Sequence, residues 1–384
     1  SNYSSILISG PTASGKSQLA VRLAKIYDGV VINADAMQIY DVLSIITARP
    51  NIKSQDSVPH FLYGYVNPHI RYSVGEWQKD IARLLVFLEK INILPIIVGG
   101  TGLYFSGLLG EIAEIPNISK EIRSKWLKVK DENDTHYLHE YLKKIDPKSY
   151  KKINPNDPSR ILRAIEVYEQ TGVSIQDWQE NQGVQLIEKS KSKFIYLCPN
   201  KEDLHLNIEN RTAQMLSSEE LYREVSDLRK LKVPSAYPAM KAIGVRAVID
   251  LIDGKTNKDQ VKISINNQTK RYVKRQITWA RKKMIDWNLE NDINVMRLSS
   301  NIFPHLSNSK MTNCETFVDP CEFAEYQTLE WCRKELEDIG QYARSVGQRL
   351  TFHPGQYNQI GAKSRNVYEN TILDLGLHAK IFDI

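Results

Sequence analysis

The chain has 384 residues, a formal charge of +6, and apolar and charged fractions of 42% and 25%. This length is a soft prior for two or three domains, the composition is that of a globular protein, and the mild basicity permits a nucleic-acid partner without requiring one. No apolar run is long enough to span a bilayer, and the four cysteines form no CxxC pair that would read as a zinc site or disulfide framework. A reducing, cytoplasmic compartment without a membrane partner is therefore expected.

Residues 5–9 form a short apolar segment that predicts a buried strand. Gly10-Pro11-Thr12-Ala13-Ser14-Gly15-Lys16-Ser17 follows, and residues 18–24 then take helical apolar spacing. Strand, glycine loop and helix are the context of a phosphate-binding P-loop. Gly10 and Gly15 let backbone N–H groups turn around an anion, and the positive end of the helix points the same way. Lys16 is placed to reach terminal phosphates and Ser17 to hold Mg²⁺.

Residues 29–35 predict a second strand ending in Asp35, followed by Ala36-Met37-Gln38-Ile39-Tyr40. A carboxylate at a parallel strand's carboxyl end faces the ligand crevice of an α/β sheet, or else caps a helix. Residues 94–98 are a continuous β-branched strand running into Gly99-Gly100-Thr101-Gly102-Leu103-Tyr104. Thr101 reads as a crevice residue or as a helix N-cap. Residues 74–89 have the periodicity of a crossover helix.

From residue 115 to 193 the composition shifts to charged and aromatic helical segments, with residues 118–129 and 136–144 as examples. Asp157-Pro158-Ser159-Arg160-Ile161-Leu162-Arg163 opens another helix, with Asp157 as N-cap and Pro158 in the first turn. Arg160 and Arg163 share a face, either solvated or phosphate-binding. Residues 194–198 predict a returning strand and residues 204–216 a helix carrying Arg211. Residues 269–283 predict a basic helix interleaved with aromatics, which fits a phosphate-backbone footprint or an ordinary solvated face.

These signatures in this order resemble the tRNA dimethylallyltransferase (isopentenyltransferase) family over about residues 5–290. The resemblance implies transfer of a dimethylallyl group from dimethylallyl diphosphate to N6 of an adenine beside the anticodon, the P-loop gripping a diphosphate with Mg²⁺. It implies Asp35 as general base, Thr101 and Arg211 as further catalytic residues, and Gln38 as a partner of the flipped adenine. It implies tRNA contacts on Asp35, Ala36, Met37, Gln38 and Thr101, on Arg123, on Ser159, Arg160, Ile161, Leu162 and Arg163, and on Lys241 and Arg275. The family usually has Ser where this chain has Ala36, which removes one possible hydrogen bond.

After Trp287 the character changes. Predicted strands at 293–298 and 348–353, a helix at 326–346, and the pair His353 and His378 resemble the UV damage endonuclease family of metal-dependent TIM barrels. A full barrel takes roughly 250 residues, so no nuclease activity is expected from this chain alone, and loose packing of this segment is expected.

The expected architecture is thus α/β: a P-loop NTPase-like parallel sheet (1–114 and 194–290), an inserted helical tRNA-clamping domain (115–193), and a partial TIM-barrel-like segment (291–384). A monomer acting on the tRNA anticodon stem–loop is expected. The rival readings are a P-loop small-molecule kinase and a DNA-repair-associated binding protein.

Overall fold

The computed structural model describes residues 4–290, 295–299, 333–345 and 349–353. Strand β1 (Ser5–Ser9) is buried throughout and leads through the glycine loop into α1 (Lys16–Tyr27). Then come β2 (Val30–Asn33), the one-turn α2 (Ile52–Gln55), β3 (His60–Phe61), α3 (Val74–Lys90), β4 (Pro95–Gly99) and α4 (Gly102–Leu108). The insert supplies α5 (Lys120–Glu132), α6 (Thr135–Ile145), α7 (Pro147–Lys152), α8 (Pro158–Thr171) and α9 (Ile175–Gln179). β5 (Ser192–Tyr196) returns to the sheet, followed by α10 (Lys201–Ser217), α11 (Glu219–Lys230), α12 (Val245–Ile252) and α13 (Lys258–Glu290).

The five-stranded sheet has the order β3-β2-β4-β1-β5, and β4 pairs in parallel with β1 and β2. Such strands are covered on both faces, which is why they are runs of Val, Ile and Leu. Ile8, Ile32, Ile96 and Ile97 are fully buried, and each such side chain contributes about 1.5–3 kcal/mol. Register sets Ser9 beside Gly99 and Asn33 beside Val98. The carboxyl ends of β1, β4 and β2 therefore lie together on one edge of the sheet.

α3 begins with a reciprocal cap: Ser73 Oγ accepts the Glu76 N–H and donates to the Glu76 carboxylate. The insert has its own core, in which Ile118, Trp126, Leu138, Leu142, Ile161 and Ile165 are buried. α8 starts as predicted, with Asp157 accepting the Arg160 N–H and Pro158 in the first turn. It stops at Gly172, whose φ of 70° suits a residue without Cβ.

Contacts divide the chain into two compact units, residues 1–9, 15–195 and 213–265, and residues 10–14, 196–212 and 266–384. In the second unit, β6 (Val295–Ser299), α14 (Arg333–Ser345) and β7 (Arg349–His353) form one β–α–β step with parallel strands in register from Val295 with Arg349 to Ser299 with His353. His378 lies outside the described residues. Among the described residues no helix is long and apolar enough to cross a membrane.

Candidate active site

Asp35, Ala36, Met37, Gln38 and Thr101 follow the ends of β2 and β4. Gly99 is required there: a Cβ on it would lie 2.0 Å from the Ala34 carbonyl oxygen. Thr101 N–H donates to Ala34 O at 3.3 Å. Ala36 N–H donates to Thr101 Oγ1 at 3.0 Å. Thr101 is the N-cap residue of α4, yet its hydroxyl makes no capping bond. It ties the β4 loop to the β2 loop instead.

Asp35 is half-buried, and its Oδ1 accepts the Met37 N–H at 2.9 Å. The carboxylate thus closes a turn, and no helix follows for it to cap. Burial pushes the Tyr63 phenol up, and the charge of Asp35 adds to that shift. Gln38 donates from Nε2 to Thr47 O at 3.0 Å and to Ala48 O at 3.4 Å. The loop that offers those carbonyls is held by Glu224, whose carboxylate accepts the N–H groups of Ser44, Ile45 and Ile46 at 2.9, 2.7 and 3.0 Å. Asn33, the last residue of β2, is fully buried and bonds to the backbone of Asp35. Sequence reasoning passed over Asn33 and Glu224. An asparagine among Val30, Val31 and Ile32 was the available signal, because a buried amide needs partners.

The P-loop has two supports. In the second unit, Thr12 N–H donates to Gln276 Oε1 at 2.9 Å, and Asn207 Nδ2 donates to Ala13 O at 3.3 Å. A Cβ on Gly10 would lie 2.5 Å from Leu197 O. Ser14 Oγ is buried without a hydrogen-bond partner, the state of a hydroxyl that a ligand oxygen completes. In the first unit, Gly15 turns the chain with φ 84° and no side chain caps α1. Among the described residues no group of three or more His, Cys, Asp or Glu side chains could hold a metal. The exposed Ser17 hydroxyl fits Mg²⁺ in its usual form, shared between few protein oxygens and substrate phosphates.

The insert carries exposed charge on a packed base. The Arg160 side chain is 79% exposed, with Nε 3.3 Å from Asp157 Oδ2. Burial lowers the pKa of the half-buried Arg163, Glu166 opposes that shift, and Arg123 adds to it. Burial raises Glu166, while the charges of Arg123, Arg163 and Arg71 pull it back. Arg71 stacks over the Tyr237 ring at 4.6 Å. Ser159 and Lys241 are exposed and Leu162 is half-buried. Ile161, a tRNA contact by the resemblance, is 0% exposed and belongs to the insert's core. In the second unit, Arg211 on α10 is half-buried, and the exposed Arg275 on α13 lies 5.5 Å from the Tyr272 ring centroid. The side chain of Trp287 lies outside the described residues.

A family model described as IPP transferase matches residues 38–283, and one described as isopentenyl transferase matches residues 4–59. A third, described as UV-endonuclease UvdE, matches residues 256–384. A tRNA dimethylallyltransferase of Bartonella henselae is 42% identical over 275 residues, spanning 72% of this chain and 94% of that protein. One of Agrobacterium fabrum is 42% identical over 285 residues, spanning 74% and 95%. A eukaryotic dimethylallyltransferase, solved in crystallographic snapshots of its action on tRNA, superposes with a TM-score of 0.63 at 26% identity, covering 73% of this chain and 70% of that one. The full-length tRNA isopentenylpyrophosphate transferase of Bacillus halodurans gives 0.51 at 30% identity, covering 73% and 87%. A parallel sheet with a P-loop after β1, an Asp35 turn after β2, a Thr101 clamp after β4 and a helical insert is the arrangement these matches span, and the chain belongs to the tRNA dimethylallyltransferase family.

Proposed function

We propose that this protein transfers a dimethylallyl group from dimethylallyl diphosphate to N6 of the adenine next to the anticodon of tRNA, giving N6-(dimethylallyl)adenosine. The observation that carries the reading is the joined edge of β2 and β4, where Asp35, Gln38 and Thr101 are fixed on a P-loop sheet. N6 attacks the allylic carbon, the carbon–oxygen bond to diphosphate breaks, and N6 loses a proton. An aromatic amine is a weak base, so deprotonation accompanies attack, and a nearby carboxylate is the group to accept the proton. Asp35 Oδ1 is engaged by the Met37 N–H, so Oδ2 is the oxygen assigned to that proton. Gln38 has its Nε2 on Thr47 and Ala48, which leaves Oε1 to accept from the adenine amine. Thr101 positions the base or the diphosphate.

Lys16, the P-loop amides and Arg211 take up the charge that grows on the departing diphosphate. The Ser17 hydroxyl would hold Mg²⁺, whose charge would offset that of the diphosphate. Extruding the adenine is cheapest because loop bases are already unpaired. Arg123, Ser159, Arg160 and Arg163 of the insert, with Lys241 and Arg275, contact the anticodon stem–loop; RNA loops are read by stacking and phosphate contacts of this kind. The working unit is one chain and one tRNA in the cytoplasm, and the segment 291–384 takes no part in the transfer.

Mass spectrometry of nucleosides from unmodified tRNA incubated with the protein and dimethylallyl diphosphate tests the reading. The expected product is one N6-(dimethylallyl)adenosine per tRNA, beside the anticodon. Recovery of unmodified adenosine, or phosphate transfer from ATP in its place, contradicts it.

A further inference from the structure

We propose that Asn33 is a positioning residue for the transfer, its buried amide fixing the direction in which the Asp35 carboxylate meets the reacting amine. The inference rests on the reading of Asp35 as general base. Asn33 is 0% exposed at the end of a strand made otherwise of Val30, Val31 and Ile32. An amide buried there without partners is unfavourable, so its hydrogen bonds account for its presence. Oδ1 accepts the Asp35 N–H at 2.9 Å. Nδ2 donates to Asp35 O at 3.0 Å and to Leu62 O at 3.0 Å. One side chain therefore grips both backbone groups of the residue that carries the base. The orientation of the amide is fixed by chemistry: with oxygen and nitrogen exchanged, all of these bonds would be lost.

Asn33 is itself held. Its carbonyl accepts Trp77 Nε1–H at 3.0 Å, and Trp77, fully buried, stacks on Tyr104 at 4.3 Å and 20°. On the far side of Asp35, Ala36 N–H is fixed by Thr101. With the backbone pinned before and after, the carboxylate keeps only its own side-chain torsions, and Met37 N–H restrains those. Neither aspartate nor serine does this work at position 33. Aspartate would lack the donors to Asp35 O and Leu62 O and would set a second negative charge beside the base. Serine carries one donor where two carbonyls wait.

The test is a double-mutant cycle on the full chain with Asn33→Ala, Asp35→Asn and the double variant, read as single-turnover rate constant, tRNA affinity and affinity for dimethylallyl diphosphate. Misplacing a reacting group by about an ångström lowers rate by about a hundredfold. Asn33→Ala is expected to slow transfer about 10- to 100-fold with both affinities changed less than about twofold on the same principle. In the Asp35→Asn background the same substitution is expected to have no further effect. A rate within about twofold of the parent contradicts the inference on that same scale, as does a loss that persists undiminished without the Asp35 carboxylate, since a merely structural role is additive. Asn33→Ser, which keeps one short polar group, serves if the alanine variant does not fold, and is read against the same cycle. Full activity of Asp35→Asn would instead overturn the base assignment itself; a slow Asp35→Asn beside a fast Asn33→Ala overturns only the role of Asn33.

Discussion

The β2–β4 edge and the helical insert are both polar, and they are built in opposite ways. At the sheet edge the polar groups are spoken for: Asn33 holds the backbone of Asp35, Thr101 holds Ala36, and Thr47 and Ala48 hold the amide of Gln38. On the insert, Arg160 stands 79% exposed with a single acidic neighbour, and the more enclosed Arg163 shares the field of Glu166 with Arg123. Proton transfer needs groups placed within fractions of an ångström. A polyanionic backbone needs charge at roughly the right spacing, which long side chains supply without fixed geometry. The difference separates rate from affinity, and substitutions in each region should move only its own quantity.

The largest effect is expected from Asp35→Ala, which should lower turnover by about 10²–10⁴, the usual size of general-base catalysis, while tRNA affinity stays near the parent value in a filter-binding assay. Affinity falling in parallel with rate would erase the comparison. Gly99→Ala comes next. Its Cβ would fall 2.0 Å from Ala34 O, so the strand ends must part, with a loss of about 1–3 kcal/mol typical of overpacking and lost activity; unfolding in urea and the single-turnover rate read the two. Arg160→Ala should leave the rate at saturating tRNA unchanged. It should weaken binding and reduce the slope of log affinity against log salt by about 0.7–0.9, one counterion's worth. An unchanged slope assigns Arg160 to its ion pair with Asp157.

A smaller effect is expected with pH. Burial lowers the pKa of His60 in β3 while its hydrogen bond to Val58 O opposes the shift. The unfolded chain then binds a proton that the folded one refuses, so this contribution to stability is complete above about 6.5 and is lost as pH falls below it. Thermal unfolding of His60→Gln should show a flatter acid side than the parent. No change in transfer is expected when the chain is ended at residue 290, because the transferase signatures lie before it; a steady-state assay that shows lost activity would give the segment 291–384 a role.

Much of this was legible where local chemistry decides. The glycines, Lys16 and Ser17 define the loop after β1, buried strands must be apolar runs, and Asp157-Pro158 is a helix start on its face. The burial of Ile161 was legible too, since Ile161 and Ile165 are apolar and four apart on one helix face, and only the family resemblance put Ile161 among the tRNA contacts. β3 was not legible: His60–Phe61 is two residues long and is a strand only because β2 lies beside it. The anchoring of residues 44–46 by Glu224 spans about 180 positions of sequence and leaves no local trace. The basic helix runs over Lys258–Glu290 rather than 269–283, its first turns burying Val261 and Ile265 four apart.

The most direct test is single-turnover transfer from dimethylallyl diphosphate to unmodified tRNA, followed by nucleoside mass spectrometry, with the parent chain, Asp35→Ala and Arg160→Ala titrated with tRNA side by side. The account predicts a dimethylallyl adenosine beside the anticodon with the parent chain, a slow plateau rate at unchanged half-saturation for Asp35→Ala, and a parent-like plateau at raised half-saturation for Arg160→Ala. An unmodified adenine with the parent chain, or a parent-like plateau for Asp35→Ala, would contradict it.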